Sequence, residues 1–96
     1  MITVGELIRQ KREENAISLK NLAEKLKIDT GLLSKIERNK RMATRDHILN
    51  ISKLFKIPAK DLLIIWLSDK IIHDLRNEAF GKDAIEFALV KMKDSN

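Results

Sequence analysis

The chain has no cysteine, no tyrosine, one proline and three glycines among its 96 residues, and aromatic side chains make up only 4%. Without cysteine there is no disulfide framework, no thiol nucleophile and no thiolate metal site. So little Gly and Pro, beside abundant Lys, Glu, Leu and Ile, favours helices over a sheet, and the core must be built from Leu, Ile and Ala. The longest apolar run, Leu62 to Leu67, is far shorter than the roughly 20 residues a membrane helix needs. Met1 to Asn15 lacks the apolar stretch of a secretory leader and is charged from Glu6 onward. The expectation is a soluble, cytoplasmic protein with no membrane contact.

Catalytic signatures are missing too. The sequence carries no Ser/His/Asp set, no phosphate-binding glycine loop and no metal-ligand cluster. His47 and His73 fall on different helices without a neighbouring ligand pattern and read as surface or helix-terminal residues. No enzyme, cofactor or metal is expected.

What is present is one core's worth of apolar residues, 44% of the chain, and a net charge of +5. That suits a single domain over 1–96. The charge is uneven. Residues 1–60 hold 14 Lys/Arg against 7 Asp/Glu, whereas residues 61–96 hold 5 against 7. Such asymmetry points to a polyanion bound by the first part of the chain, the plainer account being solvated helix surface.

Periodicity and caps predict six helices. Thr3 and Glu6 fit a capping box for a first helix running to about Asn15. Ser18 caps a second, whose Leu19, Leu22, Ala23 and Leu26 follow helical spacing. Asp29 caps a third, from Thr30 to Arg38 or Asn39, with Leu32, Leu33 and Ile36 inward. Thr44 starts a fourth, and Pro58 suits the first turn of a fifth reaching about Asn77. Asp83 and Glu86 read as a capping box for the last. The six apolar residues Leu62 to Leu67 cover the whole circumference of the fifth helix, so it must be buried all round. One side can pack on the earlier helices; the other needs the C-terminal segment or a second copy.

Ser18, Leu22-Ala23, Leu26, Ile28, Leu33-Ser34-Lys35-Ile36-Glu37-Arg38, Lys40-Arg41, Thr44 and Ile48-Leu49 together resemble the phage-repressor-like helix-turn-helix family (Cro and XRE type). The resemblance covers roughly the first two-thirds of the chain. It implies an all-α fold: a five-helix lambda-repressor-like DNA-binding part over 1–67, with a helical extension over 68–96 for dimerisation or partner contact. It implies that the third helix enters the major groove of double-stranded DNA. Thr30, Gly31, Ser34 and Lys35 would face the bases, Gly31 with backbone only and Lys35 as a donor to guanine. Ser18, Arg38, Asn39, Lys40, Arg41 and Arg45 would hold phosphates. Arg12 and Glu37 match an internal ion pair, a structural role.

The sequence departs from the family where Gly often stands, holding Ala16, Lys27, Asn39 and Lys56 instead, and a left-handed turn at Ala or Lys costs about 1–2 kcal/mol. Leu19 replaces a frequent Gln. The function implied is a sequence-specific transcriptional regulator, a phage-type repressor or a restriction–modification controller. It would act as a homodimer on a palindromic operator through Leu63, Ile64, Trp66, Leu67 and Ile71, with a purely intrachain core role equally open to Trp66. The alternative is an antitoxin-like module whose C-terminal helices contact another protein. RNA binding lacks an aromatic stacking platform.

Overall fold

Four short polar side chains start the first four helices, and four left-handed residues stop them. In the computed structural model, which describes residues 2–95, the elements are α1 (Val4–Glu14), α2 (Leu19–Leu26), α3 (Thr30–Glu37), α4 (Arg45–Phe55), α5 (Ala59–Leu75) and α6 (Gly81–Asp94). The fold is all-α, with no strand among the described residues. Thr3, Ser18, Asp29 and Thr44 each accept a hydrogen bond from the amide three residues on, satisfying a donor the helix leaves orphaned. Thr44 adds the reciprocal half of a capping box. Its own amide donates to Nδ1 of His47 at 3.2 Å, so this histidine is part of a helix start. At Thr3 the box is only half made: the Glu6 amide donates to Thr3 Oγ1, and the Glu6 side chain returns no bond.

Ala16, Lys27, Asn39 and Lys56 all have positive φ, from 53° to 60°. The stops share one geometry. After α2, Ile28 donates to the Ala23 carbonyl and Lys27 to that of Glu24; after α3, Lys40 donates to Lys35 and Asn39 to Ile36. This is the paired closure that retires the last helical carbonyls and normally favours glycine. The residue after the stop is Ile17, Ile28 or Ile57 in three of the four cases, and each packs against the core. Apolar burial immediately after the turn holds a conformation that the backbone alone would resist.

The core gathers Val4 and Ile8 from α1, Leu22, Ala23 and Leu26 from α2, Leu33 and Ile36 from α3, Ile48 and Ile51 from α4, and Leu62 and Trp66 from α5. Gly5 is buried where α1 meets α3. A Cβ there would collide with the Ile36 carbonyl oxygen, so only glycine lets the two backbones approach this closely. At the same end, the Val4 amide donates to Asp69 Oδ2 at 2.8 Å. An α5 carboxylate thus caps the positive end of α1.

α5 is buried on one side only. Leu62 and Trp66 turn inward, Leu63 and Ile65 are half-buried, and Ile64, Leu67, Ile71 and Ile72 are exposed. Trp66, which the sequence left open between an interface and an intrachain core, takes the core role: it is 5% exposed and its indole N–H donates to the Ala43 carbonyl at 2.8 Å. Nor does the C-terminal helix cover the open side. α6 makes only slight contact with the other helices, and Phe87, Leu89, Val90 and Met92 are exposed along it. The radius of gyration is 15.2 Å, against about 12.5 Å for a compact chain of this length. α6 also begins at Gly81, without a side-chain cap. The Asp83–Glu86 pair therefore lies within the helix and is not its start. Gly81, two residues before the acidic pair, is buried, and a Cβ there would lie 3.3 Å from Leu75.

Candidate nucleic-acid interface

The frame presents α3 with one face outward. Helical period alone puts Thr30, Gly31, Ser34, Lys35 and Arg38 on one stripe, because Leu33, Ile36 and Glu37 take the buried face. Thr30, Gly31, Lys35 and Arg38 are exposed and Ser34 is half-buried. The Arg38 Nε bonds back to the Ser34 carbonyl at 3.3 Å, leaving the guanidinium's other nitrogens to solvent. Gly31 has a local structural reason: a Cβ would lie 2.9 Å from Asp29 Oδ2, the oxygen that caps α3 through the Leu32 amide.

Around this stripe the structure sets a rim of donors. Ser18 Oγ accepts the Asn21 amide at 3.0 Å, and its hydroxyl hydrogen is free to donate outward. α2 starts at a neutral Ser18 cap with no acidic residue in its first turn, so its positive end is not neutralised locally, whereas the start of α3 already carries the Asp29 carboxylate. Lys40 and Arg41 are exposed in the connection after α3. Asn39 is exposed, but its side chain is engaged within the molecule, donating from Nδ2 to Thr3 Oγ1 at 3.0 Å. Its side chain thereby ties the end of α3 to the start of α1. The guanidinium of Arg45 lies 5.3 Å from the Trp66 ring centroid, close enough for cation–π attraction. Leu19 is half-buried against the core and offers a phosphate no polar group.

Behind the stripe Arg12 and Glu37 form a two-pronged pair. Nε meets Oε2 at 2.9 Å and Nη2 meets Oε1 at 3.0 Å, while Nη1 donates to the Ile17 carbonyl at 3.1 Å. The Glu37 side chain is 4% exposed and that of Arg12 15%. Hydrogen bonding to Glu37 raises the guanidinium above its ordinary pKa, and burial works in the opposite direction. The pair locks α3 to α1 and to the stop after α1, so the stripe has a fixed orientation before any ligand arrives.

Asp69 is the positioning residue that sequence reasoning missed. It stands 65 positions from its partner Val4, with no local pattern to reveal it. No helix among the described residues is long and apolar enough to cross a membrane.

Comparison with known proteins agrees with this geometry. Residues 5–64 match a family model described as a helix-turn-helix domain. A search of curated proteins found no match. Among solved structures, a chain of a SinR protein/SinI protein complex superposes with a TM-score of 0.59 at 25% identity, covering 98% of this chain and 100% of that one. Since the matched residues span well over half of the sequence and include every residue of the outward stripe, the chain belongs to the phage-repressor-like helix-turn-helix family of DNA-binding regulators.

Proposed function

We propose that this protein is a sequence-specific transcriptional regulator that binds a palindromic operator as a homodimer, in the manner of a repressor or controller. The observation that carries the reading is the α3 stripe. Five outward positions stand on a helix whose orientation is fixed by an ion pair, with cations at its end and the uncompensated start of α2 beside it. In this reading Thr30 and Lys35 meet base edges, and Arg38, Lys40, Arg41 and Arg45 meet phosphates. Gly31 and Ser34 contribute close backbone approach and a hydroxyl.

The dimer reading rests on the open apolar side of α5. Ile64, Leu67 and Ile71 lie exposed there, and a groove lined by Ile71, Leu75, Ala84, Ile85, Leu89 and Met92 continues it between α5 and α6. Monomeric proteins rarely leave so much contiguous apolar surface in water. For such a dimer to enter successive major grooves, its two α3 helices must lie about 34 Å apart.

Fluorescence anisotropy on the protein's own upstream DNA, with Lys35→Ala and Arg38→Ala, tests the reading. Lys35→Ala is expected to relax sequence preference at a cost of about 1–3 kcal/mol, whereas Arg38→Ala weakens all DNA alike and flattens the salt dependence. If neither variant changes binding, α3 is not the reader. A second occupant of the apolar side, a different protein, is favoured by one finding: the similar structure is a complex of two proteins. A monomer by sedimentation that co-purifies with one defined partner would select that reading over the homodimer.

A further inference from the structure

The end of α5 carries cations that the helix-turn-helix leaves unexplained. Lys70, His73 and Arg76 follow one another at three-residue spacing and are all exposed, so they form one stripe on the helix. Its far end meets the connection after α3. Asn39, Lys40, Arg41, Met42, His73 and Arg76 line a single hollow of about 290 Å³ without a carboxylate in its wall. Its near end meets α4. The Lys70 ammonium lies 4.7 Å from the centroid of the Trp66 ring that Arg45 also approaches.

Two carboxylates stand near this band, and neither closes it. Asp69 is engaged by the Val4 amide, and Asp74 lies 3.8 Å from Nδ1 of its neighbour His73, both largely exposed. Among the described residues Lys40, Arg41, Lys70 and Arg76 enter no ion pair. Compensation of the α5 dipole accounts for a cation at the helix end. It does not account for gathering Lys40 and Arg41 around the same hollow, since like charges brought together repel unless an anion lies between them.

We propose that the Lys70–His73–Arg76 stripe is a second DNA-backbone contact, which joins Lys40 and Arg41 in holding a phosphate beyond the helix-turn-helix. The inference rests on the DNA-binding reading above. Lys40 and Arg41 follow α3 directly, so a duplex seated on the α3 stripe brings its flanking phosphates to this hollow. Duplex DNA offers a negative charge about every 1.7 Å along its axis. The contact adds affinity without sequence information, and it makes α5 part of the binding surface as well as its support.

The test uses the full chain, the upstream DNA and a mixed-sequence duplex of about three helical turns, roughly 30 base pairs. Anisotropy is read across about 50–200 mM salt for wild type, Arg76→Gln, Lys70→Gln/Arg76→Gln and Arg76→Lys. Arg76→Gln is expected to weaken both duplexes by the same factor and to reduce the salt slope by about one, the double variant by about two, with Arg76→Lys near wild type. Melting and sedimentation profiles matching wild type exclude lost folding or altered assembly. Wild-type binding with an unchanged slope in Arg76→Gln and the double variant would overturn this proposal alone and leave the band to an acidic protein segment. Failure of wild type to bind either duplex would overturn the DNA reading and this contact with it.

Discussion

Replacing left-handed residues by glycine should stabilise this protein at positions that touch neither the core nor the outward stripe of α3. Ala16, Lys27 and Lys56 have φ of 53°, 57° and 55° and are exposed. A left-handed L-residue costs about 1–2 kcal/mol through its Cβ. Glycine removes that cost but gains unfolded-state freedom worth about 0.4–1 kcal/mol. The net at Ala16 is then a gain of about 0.5–1 kcal/mol, with no change of charge. Lys27 and Lys56 gain somewhat less, because a cation just past a helix end interacts with its dipole by about 0.3–1 kcal/mol. The three sites lie at different helix ends, so their effects should add. A triple variant should gain about 1–2 kcal/mol, which for a domain of this size raises Tm by roughly 5–15 °C. Circular dichroism in heat and urea measures it, with the urea slope unchanged if the folded state is the same. Asn39 is the internal control: Asn tolerates this conformation, and its side chain bonds Thr3, so Asn39→Gly should bring no gain. A lower midpoint in Ala16→Gly would refute the reasoning, since no charge or contact is lost there.

Three further outcomes follow from buried contacts. Glu37→Ala leaves the partly buried Arg12 guanidinium without its partner and should cost about 3 kcal/mol in urea unfolding, the low end for a buried pair, much of it recovered when Arg12→Met is added. Gly5→Ala puts a methyl group against the Ile36 carbonyl, forcing α1 from α3 at a cost of about 1–3 kcal/mol, seen as a lower melting midpoint. Asp69→Ala orphans the Val4 amide and removes a negative charge from the start of α1, costing about 1–2 kcal/mol; hydrogen exchange should show the loss concentrated in the first turn.

The helices of this fold were legible because their caps are local chemistry. Thr3, Ser18, Asp29 and Thr44 announce a start within three residues, and apolar spacing fixes the inward face of α2 and α3. The outward positions of α3 follow from the same spacing, since Leu33 and Ile36 leave Thr30, Ser34, Lys35 and Arg38 nowhere else to point. α5 was different. Six consecutive apolar residues carry no phase, so nothing in Leu62–Leu67 itself says that Leu62 and Trp66 face the core while Ile64 and Leu67 face water. The side is settled by long-range contacts: Leu62 packed in the core, the Trp66 bond to the Ala43 carbonyl and the Asp69 bond to the Val4 amide. The Val4–Asp69 contact and the meeting of Arg76 with Lys40 were invisible for a related reason: each joins residues more than thirty apart, and no periodicity spans that distance. At the left-handed stops the missing glycines concealed a conformation that the following isoleucines enforce.

The enclosure of Trp66 gives the molecule an intrinsic optical probe. It is the only tryptophan and there is no tyrosine, so emission excited near the red edge comes from one indole. That indole donates to Ala43 in the connection leading to α4, and its ring is flanked by the Arg45 guanidinium and the Lys70 ammonium. If either cation swings away to a phosphate, the field along the ring changes while the ring itself stays dry. DNA binding as proposed should therefore register as a change in emission maximum and lifetime without greater access to iodide, an unlabelled signal arising where the connection between α3 and α4 joins α5.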